Sequence, residues 1–484
     1  MNLRPTENLS ESQVRSGLKS IIADGMFAEA MIALTGGTFL VAMALSMGAT
    51  NFQLGVLASM PTFCSLAQLV SIWFVKKYNN RRAVSVISNI FGRFPLFIIA
   101  VLPFLFTGTT GVTAMILVLF FHYFLGSVAG PAWNSWMKDL IPSQELGSYF
   151  SHRGRLTQIL NVTLSLSLAF GIDYVKLHFP DHTLYVYAGM FILGGIFGML
   201  GVLALARTPE PKSQMTNENI FRLLSKPLKD KNFRNLLVFN SAWSFALNIA
   251  TPFFSVYMMK TMGLPLSYII VLGILGQISS ILSIKMWGRY SDRFSNKTII
   301  RISAPIYVVC IIAWAFTGNF GIPLLVLINI FSGFSTAGIN LALGNIGFKL
   351  APKEEAIAYL TAKNMLVALA SAVAPLIGGL MADFFATHQF AWNIEWKSAT
   401  GTSLINLIDL KGWNFFFIIG GLLALTSLRL LNSVREQGEV QKARVVVYMR
   451  SRLRRSIRRE ARRTIELPQA GIGVIGKKMK MMFN

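Results

Sequence analysis

Long apolar stretches recur along the whole chain, and short polar segments separate them. About 20 consecutive apolar residues suffice for a helix to cross the hydrocarbon core of a bilayer. The pattern therefore predicts an all-α membrane protein with twelve transmembrane helices in two six-helix bundles. The predicted spans are residues 21–47, 52–75, 83–106, 111–137, 154–175, 184–206, 235–259, 266–288, 298–317, 321–348, 360–383 and 412–434.

The composition agrees with a chain that is solvated by lipid. Of the 484 residues 53% are hydrophobic and 14% charged, and the mean hydropathy is +0.54, whereas soluble domains carry about 25% charged residues. The two cysteines, Cys64 and Cys310, each lie inside an apolar stretch. Neither a disulfide framework nor a cysteine-based metal site is therefore expected.

The positions of lysine and arginine predict the orientation in the membrane, because cytoplasmic loops retain these residues. If the N-terminus is inside, the cytoplasmic segments hold 39 of the 45 basic residues and the outer loops keep only Lys176, Lys260, Lys397 and Lys411. Both termini are therefore predicted to be cytoplasmic, in a multi-pass protein of a cell membrane, with a bacterial inner membrane as the expected location. The net charge of +24 then requires no nucleic-acid partner.

The chain divides into two related halves. Its predicted parts are a cytoplasmic N-terminus (1–20), a first bundle (21–206), a cytoplasmic linker (207–234) with a short surface helix around 220–224, a second bundle (235–434) and a basic tail (435–484). A short pattern after span four recurs after span ten at a constant offset of 210 residues. Its members are Pro142, Tyr149, Phe150 and Arg153 in the first half and Pro352, Tyr359, Leu360 and Lys363 in the second. Internal duplication of this kind is how many transporters build two bundles around a site at mid-membrane.

A second repeated element lies between spans eight and nine, where Gly288, Asp292, Arg293, Phe294 and Lys297 stand. These residues resemble the Gly-x-x-x-Asp-Arg-x-Gly-Arg-[Lys/Arg] signature of the major facilitator superfamily, with Ser295 in place of the second glycine. The equivalent loop in the first half is degraded, since Lys76 and Asn79 replace the aspartate and the glycine. The resemblance implies transport by alternating access and a role for Gly288, Asp292 and Arg293 as a conformational latch.

Nothing in the sequence indicates catalysis, a cofactor or a metal site, because phosphate-binding loops, zinc-binding motifs and nucleophile elbows are missing. Work against a gradient then needs a coupled ion and an ionisable group inside the membrane, where such groups are costly. The candidates are Asp24 and Glu29 on span one and Arg93 on span three, with His122 as a weaker one. Glu29 is expected to pair with Arg93, either as a coupling site or as a structural ion pair, whereas Asp24 is expected to be interfacial and solvated.

Polar side chains at helical spacing indicate a water-filled cavity. The substrate-binding candidates on spans two, five, seven, eight and ten are Gln68, Gln158, Asn161, Asn240, Trp243, Gln277, Asn329 and Asn340. The alternative is that these amides hydrogen-bond between packed helices. Trp133 and Trp136 are predicted either to lie in the interfacial belt or to stack on a ring.

The tail carries 14 basic and 4 acidic residues after position 434. Met449, Leu453, Ile457, Ala461 and Ile465 recur every fourth residue, which predicts a basic amphipathic helix on anionic lipid of the inner leaflet. RNA binding is the alternative there. The expected partners are a small-molecule substrate and membrane lipid, and the protein is expected to be a monomer.

These patterns predict a secondary active transporter, coupled to protons or another ion, for a small polar and possibly sugar-like organic solute. Two alternatives remain from the sequence. One is an efflux transporter of amphiphilic compounds, and the other is a membrane sensor or scaffold that does not transport.

Overall fold

A computed structural model of the protein describes residues 3–7, 9–142, 145–212, 220–352, 355–398 and 401–436. Within these residues, twelve helical segments are long and apolar enough to cross a membrane. They form two bundles of six, so the predicted fold class is confirmed. The predicted amphipathic helix of the tail lies outside the described residues.

Among the residues described, the first bundle contains nine helices, because three of its spans are broken into two pieces. The helices are α1 (Glu11–Thr35), α2 (Gly37–Ser46), α3 (Asn51–Cys64), α4 (Gln68–Tyr78), α5 (Arg81–Arg93), α6 (Pro95–Leu105), α7 (Gly108–Leu140), α8 (Leu146–His178) and α9 (Thr183–Arg207). The break in span one falls at Gly37, whose φ of 55° is a left-handed conformation that suits glycine. The break in span three precedes Pro95, which cannot donate a helical hydrogen bond.

The linker and the second bundle follow in the same manner. They contain α10 (Ile220–Lys229), α11 (Lys231–Ala250), α12 (Phe253–Lys260), α13 (Leu266–Arg293), α14 (Asn296–Ala313), α15 (Thr317–Leu350), α16 (Ala356–Phe385) and α17 (Trp413–Leu430). Helix α10 is the predicted surface helix of the linker, and it extends five residues further than expected. Lys226 on it forms an ion pair with Glu355, which ties the linker to the start of α16.

Two helices begin eight or more residues earlier than hydropathy predicts. Helix α1 begins at Glu11, because Ser10 and Gln13 form a reciprocal capping box that stabilises a polar first turn. Helix α8 begins at Leu146 instead of residue 154, since its polar first two turns are helical without being apolar. Hydropathy detects the lipid-embedded part of a helix and misses polar extensions of this kind.

A β-hairpin between α16 and α17 was not predicted. Strands β1 (Gln389–Ser398) and β2 (Gly401–Lys411) pair antiparallel, with one irregularity between Trp392 and Asn393. We call the side of the molecule that carries this hairpin the hairpin face. The opposite side, where α1 begins and α17 ends, is the terminal face.

Candidate functional site

The two bundles are joined at the hairpin face by two carboxylates, each of which binds the start of a helix in the other bundle. Asp383 of α16 accepts hydrogen bonds from Asn51 Nδ2 at 2.8 Å and from the Phe52 backbone amide at 3.0 Å. Asp173 of α8 accepts them from the backbone amides of Leu266 at 2.9 Å and Ser267 at 2.8 Å. The free amides and the dipole at a helix start favour a negative charge in that position. We call this pair of contacts the carboxylate clasp.

Close approach of the helix backbones completes the contact at the hairpin face. A Cβ atom added to Gly55 of α3 would lie 2.2 Å from the carbonyl oxygen of Pro375 in α16. One added to Gly379 of α16 would lie 2.7 Å from the carbonyl oxygen of Asn51. Helices α3 and α16 therefore touch through backbone atoms, which only glycine permits at these two positions.

The terminal-face part of α8 is not covered by the other bundle. Among its 33 residues the buried ones are Ala169 and Ile172, both within about one turn of Asp173. Further toward the terminal face, Gln158 is exposed, as are Gln277 on α13 and Asn340 on α15. In this conformation the bundles are closed against each other at the hairpin face, and polar groups are accessible toward the terminal face.

A buried ion pair lies inside the first bundle. Arg93 Nη2 of α5 is 3.7 Å from Asp24 Oδ1 of α1, and the two residues are only 6% and 5% exposed. Arg93 also donates to the carbonyl oxygen of Gly198 in α9. Gly201 leaves room for the pair, because a Cβ atom there would lie 2.7 Å from Arg93 Nη1. The pair is incompletely satisfied, since Asp24 Oδ1 and Arg93 Nε have no hydrogen-bond partner among the described residues.

A second arginine approaches the same place from α8. The Arg153 guanidinium lies 5.3 Å from the centroid of a Trp133 ring, an arrangement that attracts a cation to the face of the indole. Its Nε donates to the carbonyl oxygen of Ile21 at 3.4 Å. The side chain passes directly over Gly25, where a Cβ atom would lie 2.5 Å from Arg153 Nε.

These groups line an open cavity of about 260 Å³, which we call the arginine cavity. Besides Asp24, Arg93, Arg153 and Trp133, the amides of Asn89 and Asn134 line it. Five helices contribute to its wall, so the cavity exists only in the folded bundle. It brings together two of the three predicted ion-coupling residues.

The predicted pairing of Glu29 with Arg93 is wrong. Asp24 and Glu29 are five residues apart and point in directions that differ by about 140° around the helix, so only one of them can face α5. That one is Asp24, which is buried instead of solvated. Glu29 instead accepts a hydrogen bond from Asn161 Nδ2 of α8 at 2.7 Å.

Several other predicted site residues are buried inside a bundle. Asn240 and Trp243 are 3% and 1% exposed, so neither faces a cavity in this conformation. Asn329 is partly buried and donates to Leu325 of its own helix at 2.8 Å. Trp136 is fully buried and donates to the Pro209 carbonyl oxygen at 2.9 Å, which excludes a place in the interfacial belt. His122 is packed against the Gly92 carbonyl oxygen at 2.7 Å. Gln68 is exposed on α4.

A repeated carboxylate cap lies at the terminal face. Glu210 accepts hydrogen bonds from the backbone amides of Arg81 at 2.9 Å and Arg82 at 3.0 Å, at the start of α5. Glu436 accepts them from the backbone amides of Asn296 at 3.2 Å and Lys297 at 2.7 Å, at the start of α14. Each carboxylate lies on the segment of chain that leaves a bundle. It therefore holds that segment against the third membrane span of the same bundle, which begins with α5 in the first bundle and with α14 in the second.

The predicted latch residues lie beside the second cap, at the end of α13. Asp292 and Arg293 are exposed there, and the Arg293 guanidinium lies 5.6 Å from the Phe294 ring centroid. A Cβ atom added to Gly288 would lie 4.0 Å from Leu341 Cδ1 of α15. Their role as a latch stays a prediction.

Neutralising Glu436 is expected to destabilise the second bundle in a pH-dependent way. Burial alone raises the pKa of Glu436, but hydrogen bonds from Lys297, Lys349 and Asn296 outweigh it and hold the pKa below its ordinary value of 4.5. The bonds to the charged form therefore contribute fully above pH 4.5 and are lost as the pH falls through the lower pKa of the folded protein. Glu436→Gln should cost about 2 kcal/mol at pH 7.

Thermal unfolding in detergent between pH 7 and pH 3.5 measures this effect, and the gap between wild type and Glu436→Gln should narrow at the acid end. Asp181→Asn, which removes an exposed carboxylate, is the control. A gap that is constant over the whole range contradicts the assignment.

Removing both charges of the carboxylate clasp is expected to open the hairpin face. Asp173→Asn and Asp383→Asn each remove the charge that the helix start attracts, a loss of about 1 kcal/mol per contact. The double variant should therefore increase the open fraction about tenfold or more. The measurement is labelling of a Ser267→Cys probe, whose side chain is buried beside the clasp at this face, by a membrane-impermeant maleimide. Cys64 and Cys310 are replaced beforehand. Equal labelling of the double variant and of Asp181→Asn would show that the clasp does not hold the face closed.

Sequence reasoning missed the residues that join the helices. Asp173, Asp383, Glu210, Glu436 and Gly55 were not selected, because a carboxylate near a helix end or a glycine in an apolar stretch is common. One signal was available for the clasp: Asp173 and Asp383 are separated by 210 residues, the offset of the repeat found after spans four and ten.

Comparison with known proteins places this geometry in a family. The family model described as Major Facilitator Superfamily matches residues 25–375 and 277–463. No curated protein matches the sequence significantly. Solved structures do resemble the fold, at low sequence identity.

A mutant of the nucleoside transporter NupG has a TM-score of 0.66 at 15% identity and covers 87% of this chain and 100% of its own. A D-xylose-proton symporter has a TM-score of 0.64 at 15% identity, covering 88% and 100%. A bacterial homolog of the human lysosomal transporter Spinster, in an inward-facing and occupied conformation, has a TM-score of 0.61 at 11% identity, covering 90% and 100%. Since the family model spans most of the chain, this protein belongs to the major facilitator superfamily and is a membrane transporter, not an enzyme.

Proposed function

We propose that this protein is a secondary active transporter that moves a small polar organic solute by alternating access, coupled to protons. The observation that carries the proposal is the asymmetric closure of the bundles. They are joined at the hairpin face by two carboxylates that bind across the interface, while a charged cavity and exposed amides face the other way.

A polar solute suits the exposed side chains of the pathway. Gln158, Gln277 and Asn340 offer both donors and acceptors in the region that the carboxylate clasp leaves open. The comparison structures include a nucleoside transporter and a D-xylose-proton symporter, whose named solutes are rich in hydroxyl groups. At this low sequence identity the comparison structures share the fold, and their named solutes enter the proposal as an analogy for the class of solute.

Asp24 is the carboxylate best placed for coupling. It is buried beside Arg93, and one of its oxygens receives no hydrogen bond from any residue that the structure describes. Binding or release of a proton at Asp24 therefore changes the charge of a buried carboxylate beside a buried arginine, where electrostatic interactions are stronger than in water. Glu29 is the second candidate, since its hydrogen bond to Asn161 joins α1 to α8.

The terminal face is proposed to be cytoplasmic, in accordance with the distribution of lysine and arginine. The conformation described is then open to the cytoplasm. The basic tail is proposed to lie on anionic lipid of the inner leaflet, and the protein is proposed to work as a monomer.

Proton flux in proteoliposomes tests the proposal. The purified protein is reconstituted with a pH-sensitive dye inside the vesicles, and sugars, nucleosides and small organic acids are added outside one at a time. A transporter of the proposed kind changes the internal pH with at least one solute, and protein-free vesicles do not. Binding of a solute without movement of solute or protons would instead indicate a sensor and would overturn the proposal.

A further inference from the structure

The arginine cavity carries more positive than negative charge. Two guanidinium groups and one carboxylate line it, contributed by α5, α8 and α1. A guanidinium group has five N–H donors. The structure gives the two arginines the carbonyl oxygens of Gly198 and Ile21 as hydrogen-bond acceptors, and the Asp24 carboxylate as an ion-pair partner of Arg93 at 3.7 Å. Arg93 Nε has no hydrogen-bond partner in the part of the chain that the structure describes, although the residue is only 6% exposed. Among the described residues, one buried donor of Arg93 therefore lacks an acceptor, and the partly buried Arg153 forms no ion pair.

The other carboxylate of the first span does not compensate this charge. Glu29 is hydrogen-bonded to Asn161 and does not line the cavity. Asn161 follows Arg153 by eight residues on α8, which is about 12 Å along the helix axis. The charged side chains that line the cavity therefore sum to one net positive charge.

An oxyanion neutralises the excess positive charge of the cavity and accepts hydrogen bonds from its arginines, which a neutral solute does less well. A partly buried charge without an ionised partner is unfavourable, and hydroxyl groups do not neutralise it. Carboxylates and phosphates match the planar donor fork of arginine and bind it through paired hydrogen bonds. The cavity also offers the amides of Asn89 and Asn134 and the indole of Trp133 for the uncharged part of a ligand.

We infer that the transported solute is a small organic anion whose carboxylate or phosphate group binds between Arg93 and Arg153 in the arginine cavity. This inference rests on the proposed transport function and names its substrate class. At about 260 Å³ the cavity has room for the charged end of a small metabolite.

The same geometry explains how a proton is coupled to the solute. Asp24 and the incoming oxyanion compete for Arg93, because both are acceptors for one guanidinium group. A proton taken from solution onto the Asp24 carboxylate removes the charge that repels the anion. Anion binding and protonation of Asp24 therefore favour each other, so that one negative charge and one proton move together.

Solute pairs that differ in charge test the inference with the full-length protein in detergent. Calorimetric titrations compare glucose with gluconate and glucose 6-phosphate, glycerol with glycerol 3-phosphate and lactate, and uridine with uridine monophosphate. At least one anionic member should bind more tightly than its neutral partner. Arg153→Gln should weaken that binding about tenfold or more, whereas Arg155→Gln, an exposed arginine two residues away on another side of α8, should not.

Asp24→Asn gives a result of the opposite sign, which a merely structural role for the arginines would not produce. Removing the competing carboxylate should tighten binding of the same anion, and the affinity should no longer depend on pH. If Arg153→Gln fails to fold, the change in anion affinity of Asp24→Asn still tests whether an anion binds in the arginine cavity. A parallel titration with phosphatidylglycerol separates a lipid headgroup from a soluble anion, and tight binding of the lipid alone overturns the inference.

The inference is also overturned if neutral members bind as tightly as their anionic partners, or if none of the anionic members binds. Failure of the inference remains distinct from failure of the proposed function. Proton-coupled flux of a neutral solute would contradict the proposed anionic substrate but would support the proposed transport function. Absence of flux with every solute would contradict the transport function itself.

Discussion

Replacing Gly55 by valine is expected to lower the rate of solute uptake into proteoliposomes by more than about tenfold, with the protein still folded. A Cβ atom at this position would lie 2.2 Å from the Pro375 carbonyl oxygen, well inside van der Waals contact. The atoms that the valine side chain would meet are backbone atoms of α16, so no change of side-chain rotamer relieves the clash. The variant therefore cannot close the hairpin face, and alternating access stops with that face open.

Two measurements accompany the uptake rate. Maleimide labelling of the Ser267→Cys probe should rise in Gly55→Val, since this buried side chain becomes accessible when the hairpin face no longer closes. Gly171→Val is the matched control, because a Cβ atom at Gly171 of α8 meets nothing within 4 Å. Uptake by Gly55→Val at half the wild-type rate or more would show that α3 and α16 need not touch during transport.

Asp24→Asn is expected to abolish accumulation of solute against a gradient, while exchange of solute across the membrane continues. Asparagine has nearly the shape of aspartate but cannot bind and release a proton, so the solute moves only down its own gradient. The ratio of internal to external solute under an imposed pH gradient should fall to about one. Radiolabelled counterflow, which needs no net proton movement, measures the exchange that remains.

Glu29→Gln is the comparison variant for this experiment. Its hydrogen bond from Asn161 can persist with the glutamine oxygen as acceptor, so accumulation should continue. If Glu29→Gln instead loses accumulation and Asp24→Asn keeps it, the coupling carboxylate is Glu29. Accumulation by the double variant would remove both carboxylates from the coupling mechanism.

Much of the fold could be predicted from local sequence. The twelve spans follow from hydropathy alone, since a stretch of apolar residues in lipid has few alternatives to a helix. The hairpin at 389–411 was missed although Phe390, Trp392, Ile394 and Trp396 alternate with Ala391, Asn393, Glu395 and Lys397, because hydropathy over a long window averages out a period of two.

The site was less predictable, because it depends on which helices meet. The sequence placed Asp24, Glu29 and Arg93 in the membrane, and helical geometry showed that the two carboxylates point apart. Which of them faces Arg93 depends on the space that Gly198 and Gly201 leave on α9, a property of tertiary packing. Arg153 was noticed only as part of a repeat, and its approach to Asp24 over Gly25 has no signature in local sequence.

The carboxylate clasp restricts the kind of motion that can open the hairpin face. Each bundle contributes one acidic side chain and one helix start. The carboxylate of each bundle therefore binds the helix start of the other bundle, so the two attachments are reciprocal. A lateral slide of one bundle over the other would stretch both attachments at once and bring no new partner into reach. Tilting the bundles apart about an axis through the middle of the membrane releases the two attachments together, so the clasp favours a rocking motion with few stable halfway positions.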